Sequence, residues 1–261
     1  MKILVTGYTG QLGYDVVKEG KKRGLEMVGT GQAELDIVKE KDVHHFVASL
    51  KPDAIIHCAA YTAVDKAEDE KEACRNVNVN GTKYLAEAAK AAGAKFMFIS
   101  TDYVFKGEGT EPFVETDQAD PINYYGYTKY EAEKIVRSLL NDAFIVRISW
   151  VFGINGKNFV KTMLRLAENH KEVNVVGDQI GSPTYTFDLA RLLIDMIQTE
   201  KYGIYHATNE GFCSWAEFAE EIFRQSGKPV KVNSITTEEY PTKAVRPKNS
   251  RMSKQKLRGS G

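Results

Sequence analysis

Three short runs, Ile3-Leu4-Val5, Ala54-Ile55-Ile56 and Phe96-Met97-Phe98-Ile99, are apolar at every position. Neighbouring side chains of a strand point to opposite faces, so a strand without polar alternation has to be covered on both. These runs sit within strand-length segments at Lys2–Thr6, Leu25–Thr30, Ala54–His57, Lys95–Ser100, Phe144–Ser149 and Val173–Val176. Between them, Gln11–Arg23, Lys39–Leu50, Glu68–Ala92 and Gly126–Leu140 carry helical spacing. Strands that alternate with helices predict an α/β fold, a Rossmann-type doubly wound parallel sheet. After Gly153 the pattern changes, with helices expected at Asn158–Asn169, Thr186–Thr199 and Ser214–Ser226 and a strand at Gly203–Ala207. This reads as a smaller C-terminal α/β lobe, so the chain divides into 1–153 and 154–261, with part of the second portion free to return to the main sheet. Ser214 with Glu217 forms a capping box ahead of Trp215, Phe218, Ile222 and Phe223, which are expected in the core. Pro241–Gly261 is rich in Lys, Arg, Ser and Gly and reads as a loop over a cleft or a ragged end.

At 261 residues the chain is long enough to bury a substantial core. Its 35 Lys+Arg balance 35 Asp+Glu, so no global field recruits nucleic acid or an anionic membrane. The N-terminal MKILVTG enters a strand directly, with no leader pattern, and no apolar stretch approaches the roughly 18 residues of a membrane helix. A cytoplasmic protein is expected. Cys58, Cys74 and Cys213 are odd in number and widely spaced, which argues against a disulfide framework or structural zinc. His44 and His45 point to different faces of a helix, and His57, His170 and His206 are isolated, so no metal site is expected.

Gly7-Tyr8-Thr9-Gly10-Gln11-Leu12-Gly13 joins the first strand to the first helix. Glycines there permit a tight turn and let backbone amides approach a pyrophosphate, which the helix N-terminus favours. The loop therefore predicts a dinucleotide held by Gly7, Gly10, Gln11, Leu12 and Gly13, with NADPH or NADH as the cofactor. The second strand ends Val28-Gly29-Thr30-Gly31, without the acid that holds a ribose 2′-hydroxyl in NAD sites. Arg23 is a candidate for a 2′-phosphate, and the reading leans slightly to NADPH. Asp36, with Ile37 beside it, is placed to meet the adenine end; capping the next helix is its alternative role.

Tyr125 and Lys129 stand four residues apart on one helical face. A free phenol titrates near pH 10, so acid/base work near neutrality calls for a neighbouring cation, which Lys129 supplies. Tyr125 would give a proton to a ketone oxygen as hydride reaches the carbon, and Lys129 would also hold the nicotinamide ribose. Tyr130 and Lys134 repeat the spacing but lie roughly 140° around the same helix, so only one pair can face a cleft. Tyr125, nearer the helix start, is the choice. Thr101 follows the strand Lys95–Ser100, where ligands of open α/β sheets collect, and completes a Thr/Tyr/Lys constellation.

The G-x-x-G-x-x-G spacing resembles that of the short-chain dehydrogenases/reductases. More specific segments are Ala59-Ala60-Tyr61-Thr62-Ala63-Val64-Asp65-Lys66-Ala67-Glu68, Ser100-Thr101-Asp102-Tyr103-Val104-Phe105 and Arg147-Ile148-Ser149-Trp150-Val151-Phe152-Gly153. Asp178-Gln179-Ile180-Gly181-Ser182-Pro183-Thr184 and Arg246-Pro247-Lys248-Asn249-Ser250-Arg251 add to them. On these the chain resembles, over about residues 1 to 255, the dTDP-4-dehydrorhamnose reductase family of extended short-chain dehydrogenases/reductases. The resemblance implies that Ala59, Ala60 and Thr62 line the nicotinamide half of the cofactor, Thr101 and Asp102 touch the sugar, Trp150 borders it, and Tyr125 is the proton donor. The implied reaction is NAD(P)H-dependent reduction of the 4-keto group of dTDP-4-dehydro-L-rhamnose to dTDP-L-rhamnose, for surface polysaccharides. The family helix motif runs Tyr-Gly-Lys-Thr-Lys, whereas Tyr127 stands here at the first lysine, and the resemblance implies a further helix beyond Lys256-Leu257-Arg258. A homodimer is one implied assembly. Some members need a divalent ion at a dimer contact, for which no acidic cluster is evident here.

Arg246 and Arg251 are candidates for the substrate pyrophosphate, since a guanidinium grips phosphate oxygens bidentately, or else solvated residues of the tail. An epimerase or another nucleotide-sugar reductase would use overlapping residues. A dehydratase would place Glu after the Asp that follows Thr101, where Tyr103 stands. A non-catalytic relative, a regulatory subunit of methionine adenosyltransferase, needs no proton donor, so Thr101, Tyr125 and Lys129 together favour an enzyme.

Overall fold

The structure, a computed structural model, describes residues 1–260; Gly261, assigned above to the second lobe, lies outside the described residues. Six parallel strands form the main sheet: β1 (Lys2–Thr6), β2 (Glu26–Thr30), β3 (Ala54–His57), β4 (Lys95–Thr101), β5 (Ala143–Ile148) and, far along the chain, Gly203–His206. Across the sheet they run Gly203–His206, β5, β4, β3, β1, β2, so the strand order reverses beside β1. A crevice at the carboxyl ends of the strands follows from that reversal.

Helices cover both faces, as the apolar runs require. On one side α1 (Gln11–Lys22) packs with Thr186–Ile197, burying Val16, Leu189, Leu193 and Ile194 against Ile3, Val5, Met97 and Phe144. On the other, α2 (Glu40–Leu50), Thr82–Ala92 and Tyr124–Leu139 bury Val43, Leu85 and Val136 against Leu4, Ile55, Phe96 and Ile145. Each such side chain contributes about 1.5–3 kcal/mol on leaving water.

The stretch with helical spacing over Glu68–Ala92 is divided. After α3 (Val64–Ala67), which precedes it, it comprises α4 (Lys71–Arg75), a π-helical turn at Asn76–Gly81 and α5 (Thr82–Ala92). The wide turn places Asn78 inside the protein, where it hydrogen-bonds the Tyr61 backbone at both N (2.8 Å) and O (3.2 Å). Next come α6 (Tyr124–Leu139), β6 (Val151–Phe152), α7 (Phe159–Leu166), β7 (Glu172–Val176), β8 (Ile180–Gly181) and β9 (Thr184–Tyr185). The chain ends with α8 (Thr186–Ile197), β10 (Gly203–His206), β11 (Cys213–Ser214), α9 (Trp215–Ser226), β12 (Lys231–Ile235), β13 (Asn249–Ser250) and α10 (Gln255–Gly259).

Two expectations for the C-terminal portion need correction, and one alternative is decided. The portion returning to the main sheet is 186–206: β10 pairs in parallel with β5, and α8 covers α1. The segment β7, expected among the main strands, pairs instead with β12, and both pack with α7 and α9 around Met163, Val175, Ala219 and Phe223. The tail is not ragged. Asn249 and Ser250 pair with β8, Phe113 bridges Met252, and Met252 is fully buried, because the 107–113 loop and β8 offer it backbone partners. The capping box at Ser214 and Glu217 is present. No helix among the described residues is long and apolar enough to cross a membrane.

Candidate active site

A cavity of about 750 Å³ lies at the carboxyl ends of β1 to β5. Its floor begins with the glycine loop. Gly7 takes a left-handed backbone, φ 72°, and a β-carbon there would stand 2.7 Å from the Ala59 nitrogen. One on Gly13 would stand 2.4 Å from the Gly7 oxygen, so Gly13 lets α1 close on the loop while itself lying outside the lining. Gly10, Gln11, Leu12, Asp36, Ile37, Ala59, Ala60, Thr62, Thr101, Asp102, Tyr125, Lys129 and Trp150 all line this one cavity with Gly7. Asp36 accepts the Val38 amide at 3.3 Å and does not cap α2, which begins after Lys39.

Asn123 starts α6. Its side chain accepts the Gly126 N–H at 2.8 Å and donates to the Val245 carbonyl at 2.9 Å, tying the helix start to the C-terminal segment. Gly126 has no room for a side chain, since a β-carbon would stand 2.2 Å from the Tyr103 oxygen. Helix α6 can therefore press against the short 3₁₀ turn Asp102–Val104, bringing Tyr125 to the strand end that carries Thr101. Thr101 Oγ1 donates to Asp102 Oδ1 at 3.0 Å and accepts the Tyr103 amide at 3.2 Å. Tyr130, with Lys134 over its ring, packs instead against the cluster of Val104, Phe105 and Met252.

Burial governs the electrostatics. Lys129 is 2% exposed; its Nζ donates to the Ile99 carbonyl at 2.7 Å and lies over the Phe98 ring. Desolvation draws it down to about 7, against the pull of Glu133, Cys58 and Cys74. Desolvation also pushes the Tyr125 phenol above its ordinary range, and the Asp102 charge adds to this. The lowering expected from Lys129 is not seen in this geometry, where loss of water acts most strongly on the phenol. Tyr125 thus holds its proton near neutrality, the state a proton donor requires. Burial raises the Asp102 carboxyl to about 6, restrained by the Ser250 and Thr101 hydroxyls.

Several supporting residues escaped sequence reasoning. His57 is buried between Thr6 Oγ1 (2.7 Å) and Thr82 Oγ1 (2.9 Å), and burial lowers it to about 3, so it is neutral. Thr6 Oγ1 also accepts the Ala59 amide at 3.3 Å, fixing the turn that follows β3. Glu133 binds Arg147 through two hydrogen bonds, 2.9 and 2.7 Å, and takes the Ser100 hydroxyl, bracing β4 and β5 against α6. Asn155 donates to the Thr9 and Gly10 carbonyls and Asn158 to Gln11, so the 153–158 segment lies over the glycine loop and brings Lys157 into the lining. The asparagines and Glu133 gave no signal beyond ordinary polar residues, except Asn123, whose place before a helix is a capping pattern.

Trp150 has a left-handed backbone, φ 48°, unusual for so bulky a residue. Its indole stacks on Trp215 at 3.7 Å and covers Gly181, while Thr184 N–H bonds its carbonyl at 3.1 Å. Tertiary contacts hold a conformation that the local chain disfavours.

Three arginines fall elsewhere than expected. Arg246 pairs with Asp65 at 2.6 Å, its charge reaching the Tyr103 phenol, but it is not among the lining residues. Arg251 also lies outside the lining, on Asn249 at 3.0 Å. Arg23, the candidate for a 2′-phosphate, is at the far end of α1 on Glu19 and Asp195. One grouping with metal-ligand spacing exists among the described residues, Glu40, His44 and Glu87, outside the cavity lining.

The residues present fit a dinucleotide. The glycine cradle leaves space that any β-carbon would fill, and two lining oxygens, Thr30 Oγ1 and Asp102 Oδ2, are buried without a hydrogen-bond partner.

The family model described as the RmlD substrate binding domain matches residues 1–261. A dTDP-4-dehydrorhamnose reductase of Aggregatibacter actinomycetemcomitans is 44% identical over 263 residues, covering 95% of this chain and 89% of that protein. Among solved structures, a Clostridium acetobutylicum dTDP-4-dehydrorhamnose reductase is 45% identical with a TM-score of 0.97, covering 100% of this chain and 92% of that one. The Bacillus anthracis dTDP-4-dehydrorhamnose reductase in complex with NADP is 43% identical with a TM-score of 0.97, covering 100% and 94%.

Proposed function

The chain belongs to the RmlD substrate binding domain family of dTDP-4-dehydrorhamnose reductases, and from that premise we propose that it reduces the 4-keto group of dTDP-4-dehydro-L-rhamnose to dTDP-L-rhamnose. The observation that carries the reading is Tyr125, buried so that desolvation raises its phenol, in one cavity with Thr101, Lys129 and a dinucleotide cradle. A reduced nicotinamide dinucleotide supplies the hydride when bound. Gly7, Gly10, Gln11 and Leu12 would hold its pyrophosphate, Asp36 and Ile37 its adenosine end, and Ala59, Ala60, Thr62 and Lys129 its nicotinamide half.

Tyr125 delivers its phenolic proton to the oxygen that was the ketone, and the Thr101 hydroxyl, turning its proton from Asp102, steadies that oxygen by hydrogen bonding. Lys129 orients the ribose and offsets the phenolate left behind. Asp102 and Trp150 border the sugar. The cytoplasm, where reduced nicotinamide dinucleotides are regenerated, is the proposed compartment. An epimerase or a non-catalytic cofactor-binding role is not favoured, given the family and the buried proton donor.

The test is absorbance loss at 340 nm with the dTDP-linked 4-keto sugar, comparing the native chain with Tyr125→Phe. Turnover in the native chain and a fall of about 10²–10⁴-fold in the variant, with cofactor binding retained, is expected. Equal turnover in both would remove Tyr125 from the mechanism, and none in the native chain would overturn the reaction.

A further inference from the structure

At the end of β2 the chain folds back on itself. Leu35 N–H bonds the Gly31 carbonyl at 3.0 Å, and this turn returns the Glu34 carboxylate to the strand end, where Oε2 accepts the Gly31 N–H at 2.8 Å. An acid four residues past the strand is thus returned to the corner that a strand-end acid would fill. The same corner touches the glycine loop: a β-carbon on Gly31 would stand 2.9 Å from Thr9 Cγ2 and 3.1 Å from Glu34 Oε2. In this fold the adenosine ribose lies against the end of the second strand.

The charge there has one sign. Thr30, Gly31, Gln32, Leu35, Asp36 and Ile37 line that end of the cavity, and none is a cation. Among the described residues the lining cations are Lys129, on Ile99, and Lys157, in the segment laid over Gly10 and Gln11. Glu34 is itself exposed and stands just outside the lining, its carboxylate held on the lining residue Gly31. A 2′-phosphate of roughly two negative charges at this corner would face the Glu34 and Asp36 carboxylates with no cation among the lining residues beside it, whereas a 2′-hydroxyl can donate to Glu34.

We propose that this protein selects NADH over NADPH, and that Glu34, returned to the end of β2 by the Gly31–Leu35 turn, sets the choice. This rests on the cofactor-binding reading above but not on the identity of the sugar.

The experiment is titration of NADH and NADPH by nicotinamide fluorescence, without sugar, on the native chain, Glu34→Gln and Gln32→Arg. Glutamine can still accept the Gly31 N–H, so Glu34→Gln removes the charge and keeps the turn. NADH binding about tenfold or more tighter than NADPH is expected in the native chain, with the ratio narrowed by Glu34→Gln, chiefly through tighter NADPH. Gln32→Arg should tighten NADPH further and covers the case in which Glu34→Gln misfolds. The Bacillus anthracis relative was solved with NADP, so NADPH binding as tightly as NADH here is a real outcome and overturns the proposal, as does a ratio that neither variant moves. Preferential NADH binding with no turnover of the dTDP-sugar would overturn the reaction alone.

Discussion

Asp102, proposed above to border the sugar, shows how a single buried residue carries a stability cost. It is 4% exposed, accepts the Thr101 hydroxyl at 3.0 Å, and is raised by burial to about 6 from an ordinary 3.8. A carboxyl raised on folding holds its proton more tightly in the folded state. Its contribution to stability is therefore complete below pH 3.8 and lost as pH rises through about 6. Asp102→Asn, which cannot ionise, should gain on the native chain between pH 4 and pH 7.5 by up to about 3 kcal/mol. Thermal unfolding of both proteins across that range checks this, and a difference that stays flat with pH would show that burial does not control the group.

At the scale of elements, the site depends on how closely α6 approaches the 3₁₀ turn after β4. Gly126 sets that distance and Asn123 sets where the helix begins, while neither needs to touch a ligand. Gly126→Ala should push α6 from the turn by the bulk of one methyl, separating Tyr125 from Thr101. A misplacement of about 1 Å costs on the order of 10² in rate, so kcat should fall that far; KM for the cofactor should rise by less, since α6 carries Lys129 while the pyrophosphate cradle lies between β1 and α1. Circular dichroism would separate this from global unfolding, and an unchanged kcat would mean that the helix accommodates the methyl.

On the scale of the whole molecule, the chain order and the spatial order of the main sheet disagree. Tyr205 of β10 and Leu189, Leu193 and Ile194 of α8 share one core with Val5, Val16 and Phe144 from the first half. A fragment of residues 1–153 would expose that core on the α1 face and leave β5 as an unpaired edge. It should fail to fold as a monomer, giving no cooperative melt and collapsed amide dispersion. A well-dispersed spectrum would show that the first half is an independent unit.

The α/β class, the positions of the first five strands, the glycine cradle and the Thr/Tyr/Lys set were legible in the chain itself, because each is a local matter of period, turn or spacing. Uninterrupted apolar runs such as Phe96–Ile99 dictate burial on both faces wherever they end up. The rest was settled at long range. The return of β10 to the sheet, the pairing of Arg246 with Asp65, the stacking of Trp150 on Trp215 and the return of Glu34 to the β2 end arise from contacts that no local period records. Even the proton on Tyr125 belongs to that class, since the sequence names the phenol and its cation while only the packed fold decides how much water each one loses.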